Sequence, residues 1–159
     1  MAQDLLRTVT VERVIPAPAD EIFAVLISPG RHAGLDGSGM LQGAPEGPAQ
    51  LHLGVRFTMG MKQGPVMYRN VNEVTVFEPD RSVAWKSTGD WRGHTIVGGQ
   101  WWRYTLVPVE GGTRVQHSYE WGRSVLTRLT IQLPGFPSRM ARTMPQTLKR
   151  LEEAVLTGR

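Results

Sequence analysis

Hydrophobic and polar positions alternate with a period of two through the middle of the chain and with a period near 3.6 at its end. These are the signatures of half-buried strands and of an amphipathic helix. Residues 5–15 read as a strand, with Val9, Val11 and Ile15 on one face, Thr8, Thr10 and Glu12 on the other, and Arg13 on the apolar side. Pro16 and Pro18 end that strand. Pro18 also suits the first turn of a helix, where a missing N–H costs nothing, and Asp20 and Glu21 complement the helix dipole. Ile22, Phe23 and Leu26 form the buried stripe of this helix, Pro29-Gly30 breaks it, and a short second helix is expected over 31–35. Residues 36–50 are rich in glycine and proline and read as a loop with a short strand at 40–43.

Residues 51–62 show the cleanest alternation, with Leu51, Leu53, Val55, Phe57, Met59 and Met61 on one face and His52, Gly54, Arg56, Thr58 and Lys62 on the other. Residues 66–77 form a less regular strand, and the lost alternation over 71–74 implies a bulge. Residues 82–88 are a strand with Val83 and Trp85 inward, and 89–99 read as a loop carrying Trp91 and His94. Residues 100–108 and 113–121 form a hairpin through Gly111-Gly112, because the favoured tight turns need positive φ at their centre. Closing on those glycines sets Pro108 opposite Val115, Leu106 opposite His117, Tyr104 opposite Tyr119 and Trp102 opposite Trp121. The other side carries Arg103 opposite Glu120 and Thr105 opposite Ser118. One face is aromatic and apolar with a single histidine, the other polar, and a one-residue slip would expose every aromatic.

A short helix is expected over 124–133, ended by Pro134-Gly135, and a longer one from about Pro137 to Leu156. Met140, Met144, Leu148, Leu151 and Val155 make its apolar stripe, with Arg139, Arg142, Lys149, Arg150 and Glu153 toward water. Pro145 predicts a kink or a helix start nearby. The order is strand, two helices, about six antiparallel strands and a long helix, which is α+β by segregation. No repeat, linker or low-complexity tract divides residues 1–159, so a single domain is expected.

Composition narrows the classes. The sequence has no cysteine, so disulfide and thiol chemistry are excluded. No run approaches the ~18 apolar residues of a membrane span, and the start Met1-Ala2-Gln3-Asp4 lacks the pattern of a secretory signal. A cytoplasmic location is expected. The net charge of +4 is concentrated late, in Arg123, Arg128, Arg139, Arg142, Lys149, Arg150 and Arg159, opposed by Glu152 and Glu153. A basic helix can meet anionic lipid or an acidic partner, and it can equally be a solvated face. No aromatic-interleaved basic strand points to nucleic acid.

Several segments resemble a known family. Residues Ile15-Pro16-Ala17-Pro18-Ala19-Asp20-Glu21-Ile22-Phe23 are similar to the opening of the START-like, or SRPBCC, superfamily. Arg31-His32 with Asp36-Gly37-Ser38-Gly39, the run from Glu78 to Trp85, Trp102-Arg103-Tyr104, Gly111-Gly112-Thr113-Arg114-Val115 and Gly135-Phe136-Pro137 resemble its polyketide cyclase/dehydrase-like branch of actinobacterial type. The resemblance implies a helix-grip fold: a curved antiparallel sheet of about seven strands wrapped around a long C-terminal helix, with two short helices after the first strand. It also implies an internal apolar cavity that binds lipids, polyketides or other hydrophobic molecules, with a minority of members acting as cyclases or aromatases.

The candidate chemistry follows from side-chain type and face. His32, His52, His94 and His117 never fall at ligand spacing with a carboxylate, so no metal is expected, and no cofactor either. The segment Asp36 to Gly43 is glycine-rich but lacks the spacing and the preceding strand of a phosphate loop. Cyclisation or dehydration needs a base near neutral pKa and a group that polarises a carbonyl. Among the inward residues, His117, Arg13 and Tyr119 are the catalytic candidates, beside Tyr104 and Tyr68. The plain alternatives are a histidine satisfied by a neighbouring hydroxyl and an arginine in an ion pair inside the barrel or snorkelled at its rim. His32 and Asp36 could form a dyad; packing of the histidine under the loop, with Asp36 holding backbone N–H groups, is the simpler use.

The ligand-binding set expected on the inner faces is Phe57, Met59, Met61, Tyr68, Trp85 and Trp102, with Tyr104, Leu106, His117, Tyr119, Met140 and Met144. Methionines adapt to varied ligands, and tryptophans offer flat surfaces to rings. Three functions follow. The first is a binding protein for a small hydrophobic ligand (a lipid, a polyketide or an aromatic molecule). The second is a cyclase or dehydratase using the inward His/Tyr/Arg set. The third is an interaction module that binds a membrane or an acidic partner through the basic C-terminal helix. A homodimer through the exposed sheet face is an oligomer that the sequence allows.

Overall fold

A computed structural model describes residues 7–122 and 135–158. Its strands are β1 (Thr8–Ile15), β2 (Leu41–Glu46), β3 (Arg56–Gln63), β4 (Val66–Glu78), β5 (Ser82–Trp91), β6 (His94–Val109) and β7 (Gly112–Glu120). They form one curved seven-stranded antiparallel sheet in the order β1-β7-β6-β5-β4-β3-β2. Between β1 and β2 lie α1 (Ala19–Leu26), a 3-10 turn (Pro29–Arg31) and α2 (His32–Leu35), and the chain ends in α3 (Phe136–Thr157). The α+β helix-grip architecture expected from the sequence is the one observed, with α3 packed against β1, β7, α1 and α2. The short helix expected over 124–133, with Arg123 and Arg128, lies outside the described residues.

The helices form where periodicity and end chemistry agree. Pro18 precedes α1, Asp20 and Glu21 sit in its first turn, and Ile22, Phe23, Val25 and Leu26 are buried. The stripe of α3 is buried as expected at Met140, Met144, Leu148, Leu151 and Val155. Each such side chain contributes about 1.5–3 kcal/mol relative to exposure. Pro145 lies on the exposed side inside a helix that continues past it. It forfeits one backbone hydrogen bond, while the buried residues on either side hold the turn.

Four expectations are corrected. First, the β6–β7 turn closes on Glu110-Gly111, so that Leu106 faces Val115, Tyr104 faces His117 and Trp102 faces Tyr119. Gly111 supplies the positive φ (86°). Gly112 is the first residue of β7, paired with Val109, and must be glycine there because a Cβ would lie 2.0 Å from the carbonyl oxygen of Ile15. A two-residue shift preserves every face, which is why the alternation alone did not expose it.

Second, residues 51–55 are not strand, although Leu51 is fully buried. Leu51 N–H donates to the Ile27 carbonyl, Gly54 has φ 81°, and Leu53 is 65% exposed. Third, residues 89–99 are not a loop. They continue β5 and β6 through a tight turn in which Arg92 (φ 51°) and Gly93 (φ 79°) both take the left-handed conformation that matches strand twist. Fourth, Arg139 and Arg150 do not simply face water, as described below.

The bulge in β4 falls at Thr75, between the pairs Val74↔Trp85 and Val76↔Ala84. It switches the inward parity. Tyr68, Asn70, Asn72 and Val74 share the inner face before it, and Phe77 packs inward after it, edge-on to Phe23 at 5.4 Å. Buried residues form two clusters. One includes Ile15, Ile22, Leu26, Leu106, Val115, Leu148, Leu151 and Val155. The other holds Met40, Tyr119, Trp121, Phe136, Met140 and Met144.

Candidate functional site

Between the inner sheet face and the first half of α3 lies a cavity of about 110 Å³. Strand alternation delivers its wall. β3 supplies Phe57, Met59 and Met61, β4 supplies Tyr68, Asn70 and Asn72, and β5 supplies Trp85 and Ser87. β6 adds Gln100, Trp102 and Tyr104, β7 adds His117 and Tyr119, and α3 adds Phe136, Met140, Thr143, Met144 and Thr147. The α1–β2 segment closes one side with Leu26, His32, Leu35, Asp36, Ser38, Met40 and Leu41. Of the binding residues expected from sequence, all but Leu106 line this cavity; Leu106 is packed in the larger core cluster.

The residues that sequence reasoning missed are mainly polar. Ser87 Oγ donates to Asn72 Oδ1 at 2.5 Å, and Asn72 Nδ2 donates to the Phe57 carbonyl at 3.3 Å. Asn70 Nδ2 also donates to Asn72 Oδ1, at 3.3 Å. A signal was present: counting by two from Tyr68 reaches Asn70 and Asn72 before the bulge, and counting by two from Trp85 reaches Ser87. Gln100 lies on the Trp102 face and accepts from the Tyr119 hydroxyl at 2.6 Å.

The aromatic groups are stacked and neutral. His117 lies flat on Tyr104, with ring centroids 4.0 Å apart and planes 9° from parallel. His32 stacks on Trp85 at 5.2 Å and 18°. The His32 Nε2 hydrogen donates to the Leu26 carbonyl at 2.7 Å. Burial lowers the His32 pKa, with the Leu26 bond opposing it in part. Burial, with His32 nearby, pushes His117 down to about 3. Tyr68 is pushed up to about 12 by burial, offset in part by the Arg139 charge. Tyr104 and Tyr119 are raised by burial, helped by Asp36 and by Tyr68 respectively.

Arg13 is not in this wall. Its Nε donates to Glu152 Oε2 on α3 at 2.7 Å, an ion pair on a side chain 40% exposed. His52 and His94 are exposed. No group of three or more metal-ligating side chains occurs among the described residues.

The glycine-rich segment is strapped to α3. Asp36 Oδ1 accepts from Ser38 N at 2.9 Å and from Ser38 Oγ at 2.7 Å, and Oδ2 accepts from Leu41 N at 2.9 Å. The Asp36 carbonyl accepts from Arg150 at 2.6 Å, Gly37 N donates to Thr147 Oγ1 at 2.9 Å, and the Ser38 carbonyl accepts from Arg139 at 3.1 Å. Only glycine fits at 37, where a Cβ would lie 2.4 Å from the Thr143 carbonyl oxygen. His32 and Asp36 are therefore not a dyad; one stacks under the segment and the other fixes its backbone.

Known proteins place this arrangement. A family model described as polyketide cyclase / dehydrase and lipid transport matches residues 7–156. The uncharacterized protein Rv0088 of Mycobacterium tuberculosis is 30% identical over 149 residues, covering 91% of this chain. The chain spans 62% of the length of the curated relatives it matches. Among solved structures, the protein NE0264 of Nitrosomonas europaea has a TM-score of 0.73 at 14% identity, covering 98% of each chain. DynU16, from the dynemicin biosynthetic locus, has a TM-score of 0.63 at 19% identity, covering 96% of this chain and 48% of its own. At these identities the structural likeness shows the fold. No described helix is long and apolar enough to cross a membrane.

Proposed function

Because the chain belongs to the polyketide cyclase/dehydrase and lipid transport family of the START-like (SRPBCC) superfamily, we propose that it binds a small hydrophobic, ring-bearing ligand in the cavity between sheet and α3. The observation that carries this reading is the make-up of the wall. Phe57, Trp85, Trp102 and Tyr104 offer ring faces, and Met59, Met61, Met140 and Met144 offer flexible thioethers. Such a lining suits an apolar guest, with a few polar groups to orient it.

Binding is favoured over acid–base catalysis by the state of the candidate groups. A histidine held near pKa 3 is a weak base at neutral pH. Arg13 is committed to Glu152, and the Tyr119 hydroxyl already donates to Gln100. The interaction-module reading also loses support, because Arg139 and Arg150 hold backbone carbonyls of the strap.

Native mass spectrometry of the protein purified from its own host, followed by release and identification of any bound molecule, tests the reading. A stoichiometric apolar ligand, displaced in variants that fill the wall such as Met144→Trp, is the expected result. A protein that is empty and binds no neutral fluorescent probe overturns it.

A further inference from the structure

We propose that the cavity selects an uncharged ligand and holds that ligand's hydroxyl or carbonyl through the imidazole of His117. The inference rests on the binding reading above and adds the chemistry of the guest. Among the described residues, three buried side-chain polar atoms have no hydrogen-bond partner: Asp90 Oδ1, His117 Nδ1 and Trp121 Nε1. Only the second belongs to a residue that lines the cavity. His117 retains 3% of its surface, and a ring nitrogen buried without a partner is costly. The other amide and hydroxyl pairs of the wall, Ser87 with Asn72 and Tyr119 with Gln100, satisfy one another. The imidazole is thus one of the wall groups that can meet a guest, beside the hydroxyls of Tyr68 and Tyr104; Tyr104 lies beneath it and Trp102 beside it at 5.7 Å. A neutral imidazole has one donor and one acceptor, so it can pair with a hydroxyl or with a carbonyl.

The charge around the cavity points the same way. Among the described residues no lysine or arginine lines it, and the one charged lining residue is Asp36. That carboxylate is held by the backbone N–H groups of Ser38 and Leu41, and its charge reaches Tyr104. Arg139 acts on Tyr68 from outside the lining and is engaged by the Ser38 carbonyl. A guest carboxylate would be desolvated with no cation to meet it.

Displacement of the neutral probe N-phenyl-1-naphthylamine by naphthalene, 2-naphthol and 2-naphthoate near neutral pH tests both parts. The expected result is 2-naphthol binding at least about 10-fold more tightly than 2-naphthoate and about 5-fold more tightly than naphthalene. His117→Phe keeps the stacking and is expected to abolish the naphthol preference over naphthalene. In the unaltered protein, the imidazole ¹⁵N resonances of His117 should move with 2-naphthol and not with naphthalene, which keeps the assignment testable where the variant does not fold. Equal or tighter binding of 2-naphthoate overturns the charge selection. An undiminished naphthol preference in the variant, or unmoved resonances, overturns the role of His117. Both failures leave the cavity reading standing, whereas a protein that binds neither the probe nor any of the three compounds overturns that reading and this one together.

Discussion

The two halves of α3 meet the same sheet with different side chains. From Leu148 onward the helix presents the branched residues Leu148, Leu151 and Val155 to a cluster that includes Ile15, Val115 and Leu106 beside Phe57, Trp85 and Tyr104. Before Leu148 it presents Phe136, Met140 and Met144 to Tyr119 and Trp121, and there the cavity opens. Branched aliphatic residues interlock at crystal-like density. Unbranched methionines and flat rings leave space that can be refilled. One helix thus serves as a rigid anchor over its second half and as an adaptable wall over its first.

The largest expected effect tests that division directly. Leu151→Ala, at a fully buried site in the larger cluster, should cost about 3 kcal/mol. Met144→Ala should cost less, about 2 kcal/mol, because the flexible thioether packs beside a space that already exists. Urea unfolding of both variants checks this, and equal losses would abolish the distinction.

Acid should act on the cavity half first. His32 and His117 both have pKa values lowered in the folded protein. Between the unfolded value near 6.5 and the lower folded values, the unfolded chain binds more protons, so stability falls as pH falls through that window. For His117 alone, whose folded value is about 3, the loss from pH ~7 to pH ~5 is about 2 kcal/mol. Unfolding curves across that range should show it, and His117→Phe should flatten the slope.

A smaller effect sharpens the boundary between the halves. Arg150 emerges from the anchor half and holds the Asp36 carbonyl that borders the cavity. Arg150→Met should cost about 1 kcal/mol while speeding amide exchange of Gly37 and Ser38 more than that of Leu151. Uniform exchange changes would mean that the strap and the core are one cooperative unit.

Much of this was legible in the chain. Period-two alternation found most of the strands because one face of each is buried; β2 has no buried face and carries no such signal. The 3, 4 spacing of Met140, Met144, Leu148, Leu151 and Val155 found α3. What remained hidden depends on contacts far apart in sequence. The glycine at 112 answers to the close approach of the Ile15 carbonyl as well as to the turn, and no local pattern records that. The turn at Arg92 uses a non-glycine residue at positive φ, while the nearby Gly98-Gly99 gives a stronger but misleading loop signal. Leu51 and Leu53 alternate like a strand, yet the burial of one depends on a bond to Ile27. Asn72 and Ser87 share the inward parity of Tyr68 and Trp85, but small neutral polar side chains on a strand carry no signal of burial until the partner that satisfies them is known.

The pairing of β1 with β7 also has a consequence in time. Val9 lies opposite Tyr119, and Arg13 reaches Glu152 across 139 positions. Closing such long loops is entropically slow. During synthesis the β2-to-β7 meander can assemble from neighbouring strands, while β1 waits with its edge unpaired until β7 has been made. Vulnerability to aggregation is therefore greatest before β7 emerges, and β1 gains its protection late.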